Sequence, residues 1–125
     1  MNLLFTSIMF LISSLFGCQQ PKNYTSLSVD EFESLIKDEH VQRLDVRTAA
    51  EYSEDHISKA VNIDVFNSSF ASLADSLLRK EAPVAIYCHS GHRSKQAAAI
   101  LAEKGYTVYE LKGGFAAWQR AGKKE

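Results

Sequence analysis

Apolar positions along this chain repeat with two different periods, and the changes of period mark out its elements. Phe32, Leu35 and Ile36 fall on one helical face, and Ser28 and Glu31 precede them at capping-box spacing. Val41 to Val46, ending Leu44-Asp45-Val46, reads as a buried strand. A second capping box, Thr48 to Glu51, opens a short helix or turn, and Ala60 to Ile63 gives a short strand. Phe70, Leu73, Leu77 and Leu78 supply the apolar side of the next helix. Pro83 then introduces Val84-Ala85-Ile86-Tyr87, a compact run of the kind found in parallel strands covered on both faces. An alanine-rich helix follows from Ser94 to Lys104, with Gly105 as its C-terminal stop. Thr107 to Leu111 is a strand, Gly113-Gly114 a turn, and Phe115 to Arg120 a last helix. Strands alternating with helices predict an α/β fold: a small, doubly wound, mostly parallel sheet with helices on both faces.

Upstream of this alternation the pattern differs. Leu3 to Phe16 is nearly all apolar, interrupted by Thr6, Ser7, Ser13 and Ser14. Such a run is short for a membrane span and suits a secretory leader. It ends Leu15-Phe16-Gly17-Cys18, which resembles a bacterial lipobox, in which a cysteine after a small residue is cleaved and lipidated. The expectation is therefore a signal peptide over residues 1–18 with Cys18 as the lipidation site. A polar tether over 19–27 and a single folded domain over 28–125 would follow. The location expected from that leader is the bacterial cell envelope, extracytoplasmic, either membrane-anchored or periplasmic.

Composition narrows the picture further. At 125 residues the chain suits one domain. A net charge of −1 gives no general attraction for nucleic acid, and none is expected as a partner. Of the two cysteines, Cys18 lies in the leader and Cys88 deep in the domain, so the folded part has no disulfide framework.

The candidate chemistry lies in Tyr87-Cys88-His89-Ser90-Gly91-His92-Arg93-Ser94, which joins a core strand to a helix. In open parallel sheets, ligands bind beyond the carboxyl ends of the strands. Loop amides and the helix N-terminus offer positive potential there. Gly91 permits unusual backbone conformations. Arg93 adds a fork of donors suited to an oxyanion, and His89 and His92 add donors or charge. A thiol in that field is expected to act as a thiolate nucleophile. Neither histidine stands in a metal-ligand pattern, so no metal is expected. Asp45, Arg47 and Glu51 read as a charged cluster supporting the loop rather than as catalytic groups.

Three motifs, in order, resemble the rhodanese homology domain over Ser28 to Ala121. The first is Leu44-Asp45-Val46-Arg47 with Glu51-Tyr52 and His56-Ile57. The second is Cys88 to Ser94. The third is Gly105-Tyr106 with Val108-Tyr109, Leu111, Gly113-Gly114 and Trp118. The chain departs from the common pattern at Asp55 and Lys59, and at His89, where many members carry arginine after the cysteine. The resemblance implies a sulfurtransferase that moves a sulfane sulfur from a donor such as thiosulfate to a thiol or cyanide. Cys88 would carry the sulfur as a persulfide, and His89, Ser90, Gly91, His92 and Arg93 would bind the donor. It implies no cofactor, and a monomer is expected. Two other readings stand beside it. One is a non-catalytic or redox-sensing binding module. The other is a phosphatase or arsenate reductase, whose relatives on this fold have five residues between cysteine and arginine where this chain has four.

Overall fold

The computed structural model describes residues 23–124. The leader over 1–18, its Cys18 and the first part of the tether lie outside the described residues. Ten elements follow one another: β1 (Thr25–Leu27), α1 (Val29–Ile36), β2 (Gln42–Asp45), α2 (Ala49–Glu54), β3 (Val61–Asn62), α3 (Phe70–Leu77), β4 (Val84–Tyr87), α4 (His92–Glu103), β5 (Val108–Leu111) and α5 (Gly114–Arg120). All strand pairs are parallel, in the order β1-β5-β4-β2-β3. This is the doubly wound α/β fold expected from the alternation.

β4 explains the two-layer core. Its four residues are all buried, and successive side chains point to opposite faces. Val84, Ile86 and the following Cys88 face one cluster, which Phe70, Ala74, Ala97, Ala98 and Leu101 of α3 and α4 cover. Ala85 and Tyr87 face the other, built on Phe32, Ile36, Phe115 and Trp118 of α1 and α5. Burial of each large side chain contributes about 1.5–3 kcal/mol. Alanines at 97 and 98 let α4 approach the sheet closely enough to bring its first turn over the end of β4.

Capping sets both early helices. Ser28 and Thr48 each accept from the backbone N–H three residues on, and Glu31 and Glu51 answer with their carboxylates. The second box fixes the start of α2, and with it the place of Glu51.

Three expectations need correction. Thr25–Leu27, read as part of the tether, is a strand that pairs with Tyr109–Leu111. A three-residue edge strand is too short to show a period in the sequence, and its stability comes from pairing. The helix after β4 begins at His92, two residues before Ser94, because Gly91 at φ +104 turns the chain directly into it. Leu73 and Leu77, read as core-facing, are 37% and 54% exposed. α3 instead buries Phe70 and Ala74, with Leu78 just beyond it, a face at i, i+4, i+8 that the alanine conceals.

The connections after β2 and β4 leave in opposite directions, β2 outward to β3 and β4 across to β5. The crevice between their carboxyl ends is where such a sheet accommodates a ligand. Among the described residues no helix is long and apolar enough to cross a membrane.

Candidate active site

Cys88 ends β4 and is 1% exposed, with no disulfide. Its Sγ accepts the Gly91 N–H at 3.0 Å and lies 3.4 Å from Ser94 Oγ. The positive φ at Gly91 turns the chain from that amide into α4. Around it the chain folds as a tight loop, His89 to Gly91, with His89, Ser90 and His92 exposed at the rim. Ser90 Oγ and His92 Nδ1 stand 3.3 Å apart.

The loop is held from outside by the start of α5. Phe115 N–H donates to the Cys88 carbonyl at 2.8 Å, and Ala116 N–H to the His89 carbonyl at 3.0 Å. In trans peptides the next N–H points opposite to the carbonyl, so the amides of His89 and Ser90 face away from α5. This contact demands glycine at 114. A Cβ built there would lie 2.5 Å from the His89 carbonyl oxygen and 2.7 Å from that of Cys88. Gly113-Gly114 reads as a turn in the sequence; the structure shows it to be the seat on which the loop rests.

Arg93 does not stand free at the rim. Its Nη1 and Nη2 donate to the two carboxylate oxygens of Glu51 at 2.7 and 2.9 Å. Glu51 also accepts from Thr48 N–H at 3.0 Å through its capping box. The Arg93 hydrogen bonds hold the Glu51 carboxyl down to about 2. Glu51, and to a lesser degree the Cys88 sulfur, push the Arg93 guanidinium up from its ordinary value. Two of the five N–H donors of Arg93 are thus committed.

The Asp45, Arg47 and Glu51 cluster therefore divides. Asp45 and Arg47 form a separate buried pair, 0% and 4% exposed, joined through Nε and Nη2 at 2.8 to 3.1 Å. Arg47 Nη2 also donates to the Asp55 carbonyl at 2.6 Å, and its guanidinium lies 4.5 Å from the Phe115 ring centre. It ties the end of β2 to the turn after α2 and to α5. Beside it, the Tyr87 hydroxyl accepts from Ile57 N–H at 2.9 Å. Burial first, and the neighbouring Asp45 next, push that phenol well above its ordinary range. A cleft of about 210 Å³ opens over this framework, lined by Arg47, Glu51, Glu54, His89, Phe115 and Gln119 among others.

Two further residues join the site: Ser94, which closes the cysteine motif but carries no assigned role in the sequence reading, and Glu110, which that reading passes over. Glu110 lies on β5 and is 0% exposed, with its carboxylate 3.0 Å from Ser94 Oγ and 2.5 Å from Ser26 Oγ of β1. It pairs in register with Ile86, so it shares a sheet face with Cys88. An acid two residues after Val108 on the buried phase of a strand was the available signal. Among the described residues no His, Cys, Asp and Glu side chains gather as a metal-binding group.

The rhodanese-like domain family model matches residues 28–121. The thiosulfate sulfurtransferase GlpE of Actinobacillus succinogenes is 35% identical over 100 residues, 79% of this chain and 87% of that protein. GlpE of Shewanella oneidensis is 33% identical over 101 residues, 79% of this chain and 96% of that protein. Among solved structures, a rhodanese-related protein from Thermoplasma volcanium superposes with a TM-score of 0.71 at 26% identity, covering 81% of this chain and 96% of that one. The rhodanese-like domain of an Anabaena protein superposes with a TM-score of 0.70 at 27% identity, covering 78% and 75% respectively.

Proposed function

The chain belongs to the rhodanese-like domain family, and from that premise we propose that it is a sulfurtransferase in which Cys88 carries the transferred sulfur. The observation that carries the proposal is Cys88 at the carboxyl end of β4, beside the β2/β4 crevice, its sulfur accepting the Gly91 N–H. The similar proteins named thiosulfate sulfurtransferase support the donor class.

The reaction has two steps. The Cys88 thiolate attacks the outer sulfur of thiosulfate. A new S–S bond forms, the bond from outer sulfur to sulfonate sulfur breaks, and sulfite leaves with the bonding pair. Cyanide or a thiolate then attacks the outer sulfur of the persulfide and departs with it, restoring the Cys88 thiolate. The negative charge of Sγ passes to the departing sulfite as the first bond forms, and the outer sulfur keeps the charge it brought, now beside the loop. Amides fixed in place before the donor arrives stabilise that charge without rearranging. The three uncommitted donors of Arg93, together with Ser90 and the imidazoles of His89 and His92, face the anionic donor.

The loop length favours sulfur over phosphate. Four residues separate Cys88 from Arg93, and the Gly91 amide lies 3.0 Å from the sulfur, a short loop suited to a single sulfur atom rather than a phosphoryl group. The leader supports a site outside the cytoplasm, with the chain anchored through Cys18. Fatty-acid labelling of the parent but not of Cys18→Ser is expected, and equal labelling of both would remove that anchor. For the catalytic reading, Cys88→Ser is expected to abolish thiocyanate formation from thiosulfate and cyanide. Turnover at the parent rate would refute the role of Cys88.

A further inference from the structure

Behind Cys88, on the side away from the loop rim, a line of polar atoms runs into the core. Cys88 Sγ lies 3.4 Å from Ser94 Oγ, Ser94 Oγ lies 3.0 Å from Glu110 Oε2, and Glu110 Oε1 lies 2.5 Å from Ser26 Oγ. Cys88, Ser94 and Glu110 are each at most 1% exposed. No salt bridge reaches Glu110 among the described residues. Its carboxylate has hydroxyl partners and no cation, an expensive setting for a permanent charge.

We propose that Glu110 holds the proton of the Cys88 thiol, received through the Ser94 hydroxyl, while Cys88 acts as a nucleophile. The serine between them has one proton and two neighbours. With Cys88 as thiol, S–H donates to Ser94 Oγ, and Ser94 donates to the Glu110 carboxylate. With the chain reversed, Ser94 donates to the thiolate and the Glu110 carboxyl donates to Ser94. Each state fills both gaps with one hydrogen bond, and no heavy atom changes place. The thiol S–H bond breaks, an O–H bond forms at Glu110, and the single negative charge moves from Oε2 to Sγ. At Sγ it meets the Gly91 N–H and the field of Arg93, partners that Glu110 lacks.

Sealed from water, the pair has this internal route for the proton. The proton stays on Glu110 through both halves of the sulfur transfer, because neither attack on thiosulfate nor discharge to cyanide consumes or releases one. Glu110 and Ser94 are thus positioning residues that act through the thiol and touch no donor. Around the pair stand Arg93, whose guanidinium Glu51 first and then the Cys88 sulfur push up, Ser26 of β1, hydrogen-bonded to Glu110, and Tyr24, whose phenol is pushed up by burial and then by Glu110; His89 and His92 stand exposed at the loop rim.

The proposal rests on the sulfur-transfer reading, and its test reads the thiol alone. Alkylation of the reduced full chain by iodoacetamide is followed across pH. Two groups sharing one proton titrate in two steps that belong to the pair. The parent is expected to show two rises separated by a plateau. Glu110→Gln, which leaves both imidazoles in place, is expected to lose the acid-side rise and the plateau. Ser94→Ala is expected to lose them too and serves if Glu110→Gln does not fold. Ser94→Thr, which restores the hydroxyl, is expected to recover both. Ser26→Ala removes a hydrogen bond from Glu110 without breaking the line and is expected to keep both. A single rise in the parent, or two rises retained in Glu110→Gln and Ser94→Ala, would overturn the proposal. Two rises without sulfur transfer would refute the enzymatic reading and leave the shared proton standing. Sulfur transfer with a single rise would do the reverse.

Discussion

Arg93 and Glu51, 42 residues apart in sequence, meet through two parallel hydrogen bonds of 2.7 and 2.9 Å. The pair joins the first turn of the helix after the cysteine loop to the first turn of the helix after β2. It thereby links the segments that follow β2 and β4, the two strands whose connections diverge. It also partly cancels the Arg93 guanidinium beside the cysteine, so the electrostatics of the loop depend on a residue outside it.

Glu51→Gln keeps an oxygen for the capping box and removes the charge. Because both side chains are part-exposed, the loss at neutral pH is expected to be about 1 kcal/mol. The pH dependence has a definite sign. The folded carboxyl is held down to about 2 from an ordinary 4.5, so the parent's extra stability is present above that ordinary value and is lost as pH falls toward 2. Urea unfolding at several pH values is expected to show the gap between parent and variant closing over that range. A gap that does not change with pH would remove the ion pair.

Asp45→Ala leaves Arg47 charged and buried without its partner. A loss of about 3–5 kcal/mol is expected, read as a lower urea midpoint. The Asp55 carbonyl and the Phe115 ring would still hold the guanidinium, so folding is expected to persist. A change within experimental error would mean that the pair contributes nothing to the framework.

Gly114→Ala tests the seat of the loop. The added methyl meets the His89 carbonyl oxygen at 2.5 Å, on a residue with φ +63. Strain of about 1–3 kcal/mol is expected, together with a fall in sulfur transfer larger than the stability loss explains, because the displaced atoms belong to the loop itself. Gly105→Ala, with nothing near its built Cβ, is the control for positive φ alone. Equal effects of the two on activity would deny the seat.

Much of this was legible in the sequence, for physical reasons. β4 announced itself because four buried residues in a row admit no other period. The two capping boxes fixed α1 and α2 because their geometry is local. The cysteine loop stood out as polar residues where a core would continue. What the sequence does not show is long-range. β1 has three residues and exists by pairing with β5, 84 positions away at the Ser26–Glu110 contact. The commitment of Arg93 to Glu51, the split of the charged cluster and the line from Cys88 to Glu110 all arise between separate elements. No local pattern encodes which acid will meet which base.

The central claim is that Cys88 becomes a persulfide, and the mass of the intact protein tests it most directly. After reduction and brief exposure to thiosulfate, the parent is expected to gain one sulfur atom, located on the peptide containing Cys88 and lost on addition of cyanide. An unchanged mass, or a gain that survives in Cys88→Ser, would contradict the account.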